Sequence, residues 1–184
     1  MRFRRRTLRG RFFRPRAHTI RRRLRAAHRA MEAGRPAEAG KIFAELAEAA
    51  SGLDRPIASQ LLLQAGRAYL AAGEKETARS LVMRGIRMMI EQGDPRLGPL
   101  SQRWMAELRA RGFPDIAQDI DENIPAELRK APSTSSAPPS PALPAKCPYC
   151  GGSVRADQVD RTEPDRPACA YCGTPLLGDE RAHG

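Results

Sequence analysis

The chain has few aromatic residues and no long apolar run. Its 184 residues include one Trp, three Tyr and five Phe, so any core must be built largely from Ala, Leu, Ile and Met. A core of that composition is typical of packed helices. Because no stretch of eighteen apolar residues is present, the sequence argues against a membrane-spanning helix.

Acidic residues are missing from the N-terminus. Residues 1–30 hold thirteen Arg and no Asp or Glu, and the rest of the chain is nearly balanced, so this segment accounts for the net charge of +11. We expect a basic arm over residues 1–18, disordered or partly helical, that contacts nucleic acid, an anionic membrane surface or no dedicated ligand. The arm has no Ser, and no apolar stretch follows Arg5-Arg6, which argues against a transit peptide and a twin-arginine signal. Its arginines are Arg2, Arg4, Arg5, Arg6, Arg9, Arg11, Arg14 and Arg16.

Cysteine is confined to two short motifs near the C-terminus. They are Cys147-Pro148-Tyr149-Cys150-Gly151 and Cys169-Ala170-Tyr171-Cys172-Gly173, with eighteen residues between Cys150 and Cys169. Two C-x-x-C turns can surround one tetrahedral ion with four thiolates, and a glycine after each can take the positive φ that curls the backbone round the metal. The pattern predicts one zinc ion per chain, with iron, two disulfides or a thioredoxin-like redox pair as alternatives. The predicted ligands are Cys147, Cys150, Cys169 and Cys172.

These motifs resemble the knuckles of the zinc-ribbon families. The resemblance implies a small β module over residues 146–178, followed by a tail over residues 179–184. Four thiolates leave no coordination position for water or substrate, so such a site is structural and not catalytic. Thiolates used for a metal also indicate a reducing compartment, and we expect the protein to be cytoplasmic.

The middle of the chain repeats itself. Gly34, Gly73 and Gly112 are each thirty-nine residues apart, and an apolar helical stripe precedes each of them. The same spacing relates Ala39, Ala78 and Ala117, and also Ile42, Leu81 and Ile120. The pattern predicts three helical hairpins, in which each glycine ends a first helix in a left-handed cap. Pro36 and Pro114 are expected in the first turn of a second helix, whereas Asp54 and Asp94 are expected where a first helix starts.

The second unit resembles the tetratricopeptide repeat through Leu62, Ala65, Gly66, Tyr69, Gly73 and Ala78, although the family's period is about 34 residues. The resemblance implies a mainly α fold over residues 19–130, a solenoid of about three repeats. An ordinary six-helix bundle is the alternative. In the family the first helix of each hairpin lines a peptide-binding groove, and this implies partner contacts at His28, Arg67 and Arg109.

Residues 131–145 are rich in Pro, Ser and Ala and predict an extended, disordered linker that joins two independent modules. No nucleophile elbow, phosphate loop or carboxylate pair stands out, so we expect a non-catalytic adaptor that binds a protein or peptide. The alternative is a nucleic-acid-associated protein that uses the arm together with the ribbon. Residues 151–168 carry three Arg against four acidic residues, so the ribbon alone is not expected to attract phosphate.

Overall fold

The computed structural model describes residues 13–51, 57–129, 143–154, 159, 167–169 and 171–176. Most of them are helical, which confirms the mainly α class, and no strand occurs among them. No helix in these ranges is both long enough and apolar enough to cross a bilayer. The helices are α1 (Phe13–Glu32), α2 (Pro36–Ser51), α3 (Ile57–Ala71), α4 (Lys75–Glu91), α5 (Leu97–Ala110), α6 (Pro114–Asn123) and α7 (Ala126–Arg129).

Consecutive helices pair as three hairpins, α1 with α2, α3 with α4 and α5 with α6. Gly34, Gly73 and Gly112 end the first helix of each hairpin with φ of 70°, 80° and 82°. A residue with a Cβ rarely adopts this conformation, so glycine is what allows the chain to turn there. As predicted, α2 begins at Pro36 and α6 begins at Pro114, where the missing N–H costs no helical hydrogen bond.

The start of α5 differs from the prediction. Helix α5 begins at Leu97, two residues after Pro95. Asp94 accepts a hydrogen bond from the Arg96 backbone N–H at 3.0 Å and binds the Arg96 guanidinium, and the Leu97 N–H is bonded to the Asp94 carbonyl. These contacts form a turn ahead of the helix. Asp54, the corresponding residue of the second hairpin, lies outside the described residues.

Helix α3 lies at the centre of the core. Every residue from 58 to 66 is buried, because one side of α3 packs on α1 and α2 while Leu63 and Leu70 pack with α4, α5 and α6. Small residues at Gly66 and Ala78 permit a close approach of α3 to α4. A Cβ on Gly66 would lie 2.5 Å from Val82 Cγ2 and 3.3 Å from the Ala78 carbonyl oxygen, so only glycine fits at this crossing.

Ion pairs join corresponding helices of successive hairpins. Lys75 and Asp115 pair at 2.9 Å between α4 and α6, and Arg79 pairs with Asp119 at 2.6 Å across the same two helices. In both pairs the partners are forty residues apart in sequence. The second and third hairpins therefore lie side by side in nearly equivalent registers.

Candidate metal centre

The two cysteine motifs fold into the same backbone loop, which we call a knuckle. In the first knuckle, residues 146–153, the Gly151 N–H donates to the Cys147 carbonyl at 2.9 Å and the Cys147 N–H donates to the Gly152 carbonyl at 2.8 Å. In the second knuckle, residues 168–175, the equivalent bonds measure 2.8 and 2.9 Å. Gly151 and Gly173 have φ of 78° and 69°, as their positions predicted.

One antiparallel bridge closes each knuckle, Lys146 with Ser153 and Ala168 with Pro175. Every residue of the second knuckle follows its equivalent in the first by twenty-two positions. One more backbone hydrogen bond forms outside each bridge, from the Val154 N–H to the Ala145 carbonyl and from the Leu176 N–H to the Pro167 carbonyl. No longer hairpin forms in the described residues. The two knuckles are thus local copies of one turn.

The four cysteine sulfur atoms meet between the knuckles, within 4.8 Å of one another. Cys147 Sγ lies 3.7 Å from Cys172 Sγ, and Cys150 Sγ lies 3.8 Å from Cys169 Sγ. Four ligands at about 2.3 Å from a tetrahedral ion are about 3.8 Å apart. The residues present therefore fit a metal ion, and all four cysteines are free thiols and not disulfide-bonded.

The cluster is shielded from water, and the pKa values of its thiols differ widely. Cys147, Cys150 and Cys169 are buried. The hydrogen bonds that Cys150 and Cys169 make to Cys172 lower the pKa of the Cys172 thiol to about 2, whereas the hydrogen bond with Cys169 raises the pKa of Cys150 far above its ordinary value. Like charges so close together oppose ionisation of all four thiols, and a bound cation would remove that opposition.

Contacts with sulfur also hold the second knuckle. The Tyr171 backbone N–H donates to Cys169 Sγ at 3.4 Å, and Thr174 Oγ1 lies 3.3 Å from Cys172 Sγ. Hydrogen bonds of this kind stabilise thiolate and orient it toward a metal. In the second knuckle a backbone N–H group thus points at a cysteine sulfur atom.

Helix α1 holds the first knuckle. The Arg25 guanidinium donates to the Pro148 carbonyl at 2.7 Å and to the Tyr149 carbonyl at 3.2 Å. Beside it, Arg21 Cζ lies 5.9 Å from the centroid of the Tyr149 ring. At the end of α1, Glu32 pairs with Lys146 at 2.7 Å. Contacts with the first knuckle therefore extend along about three turns of α1, from Arg21 to Glu32.

His28 joins α1 to the second knuckle. Its ring packs edge-on against Tyr171, with centroids 4.8 Å apart, and against Phe43 of α2 at 5.3 Å. His28 is only 9% exposed, and burial lowers the pKa of its imidazole below the ordinary value. A Cβ on Gly152 would lie 2.9 Å from His28 Cε1 and 2.7 Å from Tyr171 Cδ2. The absence of a side chain at residue 152 lets both rings lie against the backbone.

These contacts place the cysteine motifs against the helices, whereas the sequence was interpreted as two independent modules joined by a linker; that division into domains stays a prediction. Cys147, Cys150 and Cys169 belong to the same buried cluster as Leu24 and Ala27 of α1. Apolar burial is the physical reason, because a module this small gains stability by covering its inner face with a larger core. Residues 130–142, most of the predicted linker, lie outside the described residues.

The predicted partner-binding residues occupy three different environments. His28 is covered by Tyr171, as above. Arg67 pairs with Glu107 at 2.7 Å and its guanidinium lies 4.6 Å from the Trp104 ring centroid, so it links α3 to α5. Arg109 is exposed on α5. The three residues do not meet in one site, and their role in partner binding stays a prediction.

Sequence reasoning missed Arg25, Lys146 and Gly152 as contact residues. Arg25 was one of thirteen arginines in a uniformly basic segment, and nothing in its spacing distinguished it. Gly152 did carry a signal, because a second glycine after a C-x-x-C-G motif is not needed for the knuckle turn. The arginines of the predicted arm up to Arg11 lie outside the described residues, and α1 already includes Arg14 and Arg16.

Comparison of the chain with protein-family models, with curated proteins and with solved structures found no match. The functional conclusion therefore depends on the geometry of the cysteine cluster and of the helices around it.

Proposed function

We propose that the four cysteines hold one zinc ion and that its role is structural. The supporting observation is the cross-knuckle spacing of 3.7 and 3.8 Å, which suits thiolate ligands of a tetrahedral ion. Because all four ligands are sulfur, no position is left for water or substrate. Cys147, Cys150, Cys169 and Cys172 would bind the ion, and zinc would supply cross-linking and folding free energy without chemistry of its own.

We infer further that the three hairpins form a tetratricopeptide-like solenoid. The ion pairs of Lys75 with Asp115 and of Arg79 with Asp119 support this, since both connect positions forty residues apart. In a stack of repeats each unit contacts its neighbours through equivalent faces. In this arrangement the zinc module would cover the outer face of the first hairpin, where a terminal repeat needs a cap.

The function that follows is a non-catalytic adaptor that binds a protein or peptide partner. Since Tyr171 covers His28 and Glu107 pairs with Arg67, the partner would contact the third hairpin, where Arg109 is exposed. An exposed guanidinium suits a carboxylate of the partner. The observation behind this proposal is the closed cysteine site packed on the first hairpin. With a metal bound, such a site would stiffen the helical domain and offer no reactive position, which suits a scaffold.

Metal analysis tests the first step. Protein purified under reducing conditions should contain about one zinc per chain, and a Cys147→Ser/Cys169→Ser variant should contain almost none. Iron in place of zinc would give a coloured protein. Less than half an equivalent of either metal would refute the site.

Partner capture tests the adaptor role. Partners retained on wild-type protein after nuclease treatment should be lost with Arg109→Glu but kept with Arg103→Glu, a matched exposed arginine on the same helix. If every partner is lost on nuclease treatment, or if Arg109→Glu retains them all, the adaptor proposal is wrong.

A further inference from the structure

Four arginines of α1 lie on one side of the helix and form a surface that we call the arginine stripe. At 100° per residue, Arg21, Arg22, Arg25 and Arg29 fall within about 100° of one another. Leu24 and Ala27 lie on another side and are fully buried. The stripe is therefore the outward side of a helix whose apolar side is already packed.

The arginines of the stripe are largely exposed and are not neutralised by carboxylates of the described residues. Arg22, Arg25 and Arg29 are exposed, and in the described part of the chain neither Arg22 nor Arg29 makes an ion pair. Arg25 uses its donors on two carbonyls, and no carboxylate of the described residues pairs with it. Glu32, the only carboxylate of α1, is paired with Lys146. A concentration of unneutralised guanidinium groups favours an anionic ligand with several charges in a row.

The first knuckle adds an aromatic ring to this surface. Tyr149 is half-buried beside the stripe, and Arg21 lies over its ring. Arginines in a row next to an aromatic ring are what proteins use to bind single-stranded nucleic acid, because guanidinium groups bind the phosphates and the ring stacks on a base. Arg21 and Arg29 are eight residues apart, about 12 Å of helix, so the stripe is long enough to contact more than one phosphate of a strand.

We propose that the arginine stripe and Tyr149 together bind single-stranded nucleic acid. This inference goes beyond the adaptor role and does not depend on it. It also differs from the expectation that a separate basic arm over residues 1–18 provides the phosphate contacts, since the stripe belongs to the folded domain.

Two other polyanionic surfaces fit the structure less well. The major groove of duplex DNA is about 12 Å wide and admits one bare helix, whereas α1 is flanked by α2 and by the first knuckle. A membrane surface would require exposed apolar side chains beside the arginines. Leu128 on α7 is the only large hydrophobic residue exposed among the described residues, and it is not on α1.

The test measures binding of a fluorescent oligothymidylate of about 12 nucleotides to full-length, zinc-loaded protein. Arg22→Glu/Arg29→Glu should weaken binding at least about ten-fold and reduce the slope of log K against log salt by about 1.4, since about 0.7 is lost per phosphate contact. Arg87→Glu/Arg103→Glu changes the net charge equally at exposed positions on α4 and α5 and should bind within about two-fold of wild type. Circular dichroism and zinc content establish that each variant is folded, and Arg22→Gln/Arg29→Gln replaces the first variant if it is not.

A second variant separates stacking from charge. Tyr149→Ala should weaken oligothymidylate binding about five-fold or more and leave binding of inorganic polyphosphate unchanged. The proposal would be overturned if the stripe and control variants lost equal affinity, or if the stripe variant bound as tightly as wild type. Tighter binding of duplex than of single strands would also overturn it. So would binding to phosphatidylserine vesicles without binding to the oligonucleotide.

Discussion

The imidazole of His28 on α1 lies edge-on against the ring of Tyr171, with centroids 4.8 Å apart and an interplanar angle of 82°. In sequence, Tyr171 lies between Cys169 and Cys172, two of the four cysteines that could hold a metal ion, so this contact connects the first helix to the cysteine cluster. Cys150 and Cys169 are also part of the cluster that contains Leu24. We therefore expect the stability of the helices to depend on the integrity of the cysteine cluster.

The first prediction follows from that coupling. Chelation of the metal under reducing conditions should lower the melting temperature of the helical domain, because loss of the cysteine module exposes the α1 surface that it covers. Helical circular dichroism during a thermal scan measures this. The Cys147→Ser/Cys169→Ser variant should melt at the lower temperature with and without chelator, whereas unchanged helical melting on chelation would mean that the two parts fold independently.

The second prediction concerns pH. Burial lowers the pKa of His28 in the folded protein, whereas the unfolded chain titrates near about 6.5. Above that pH both states are neutral and the full stability is present. As the pH falls below about 6.5, the unfolded chain binds a proton that the folded chain resists, so stability falls until the lower folded pKa is passed.

A His28→Gln variant isolates this effect, since glutamine does not titrate. Urea unfolding between about pH 5 and 8 should show that the stability advantage of wild type over the variant shrinks toward acid. Protonation of the cysteine thiols affects both proteins, and only the interaction of Cys172 with His28 is specific to wild type. A difference that stays constant, or grows as the pH falls, would contradict the burial of a neutral imidazole.

The third prediction tests the close approach at Gly152. Gly152→Ala places a methyl group 2.7 Å from Tyr171 Cδ2 and 2.9 Å from His28 Cε1, so the rings must move and the folded state should lose about 1–3 kcal/mol. Chemical unfolding of the metal-loaded protein gives the value. Ser153→Ala, an exposed neighbour in the same knuckle, should change stability by less than about 0.5 kcal/mol; if the two variants are equally stable, the knuckle does not pack on α1 as described.

The fourth prediction concerns Arg67, whose side chain is 16% exposed between Glu107 and Trp104. Arg67→Ala should destabilise the protein by about 1–3 kcal/mol, because it removes a part-buried cation–π contact and one of the two arginines that pair with Glu107, the other being Arg111. Arg87→Ala on an exposed site should cost less than about 0.5 kcal/mol. Denaturant unfolding compares the two, and equal effects would mean that Arg67 does not link α3 to α5.

Arg67→Glu is for the same reason unsuitable as a probe of partner binding. A second carboxylate beside Glu107 would repel it within the helical domain, so loss of a partner could reflect loss of packing. Arg109 has the exposure that such a probe needs, and this is why the capture experiment uses that residue alone.

The sequence by itself determined the helix ends and the two knuckles, because these depend on residues that are close together in the chain. A thirty-nine-residue spacing of glycines located the three helix ends, because only a residue without Cβ adopts φ near 70–80° there readily. Two C-x-x-C-G motifs determined the four sulfur ligands and the shape of both knuckles, since each loop closes through its own backbone hydrogen bonds. Such features depend on residues within one turn of each other and can be inferred without a fold.

Only the tertiary structure decided how these elements meet. The partners of Arg25, His28 and Arg67 are 123, 143 and 40 residues away along the chain, and no local periodicity encodes such pairings. The packing of the knuckles on α1 gave Arg25 two carbonyls to bind and left Arg22 and Arg29 without ion pairs in the described residues. Burial of apolar surface over the whole domain selects these contacts, because the free energy of a long-range contact depends on everything that becomes buried with it.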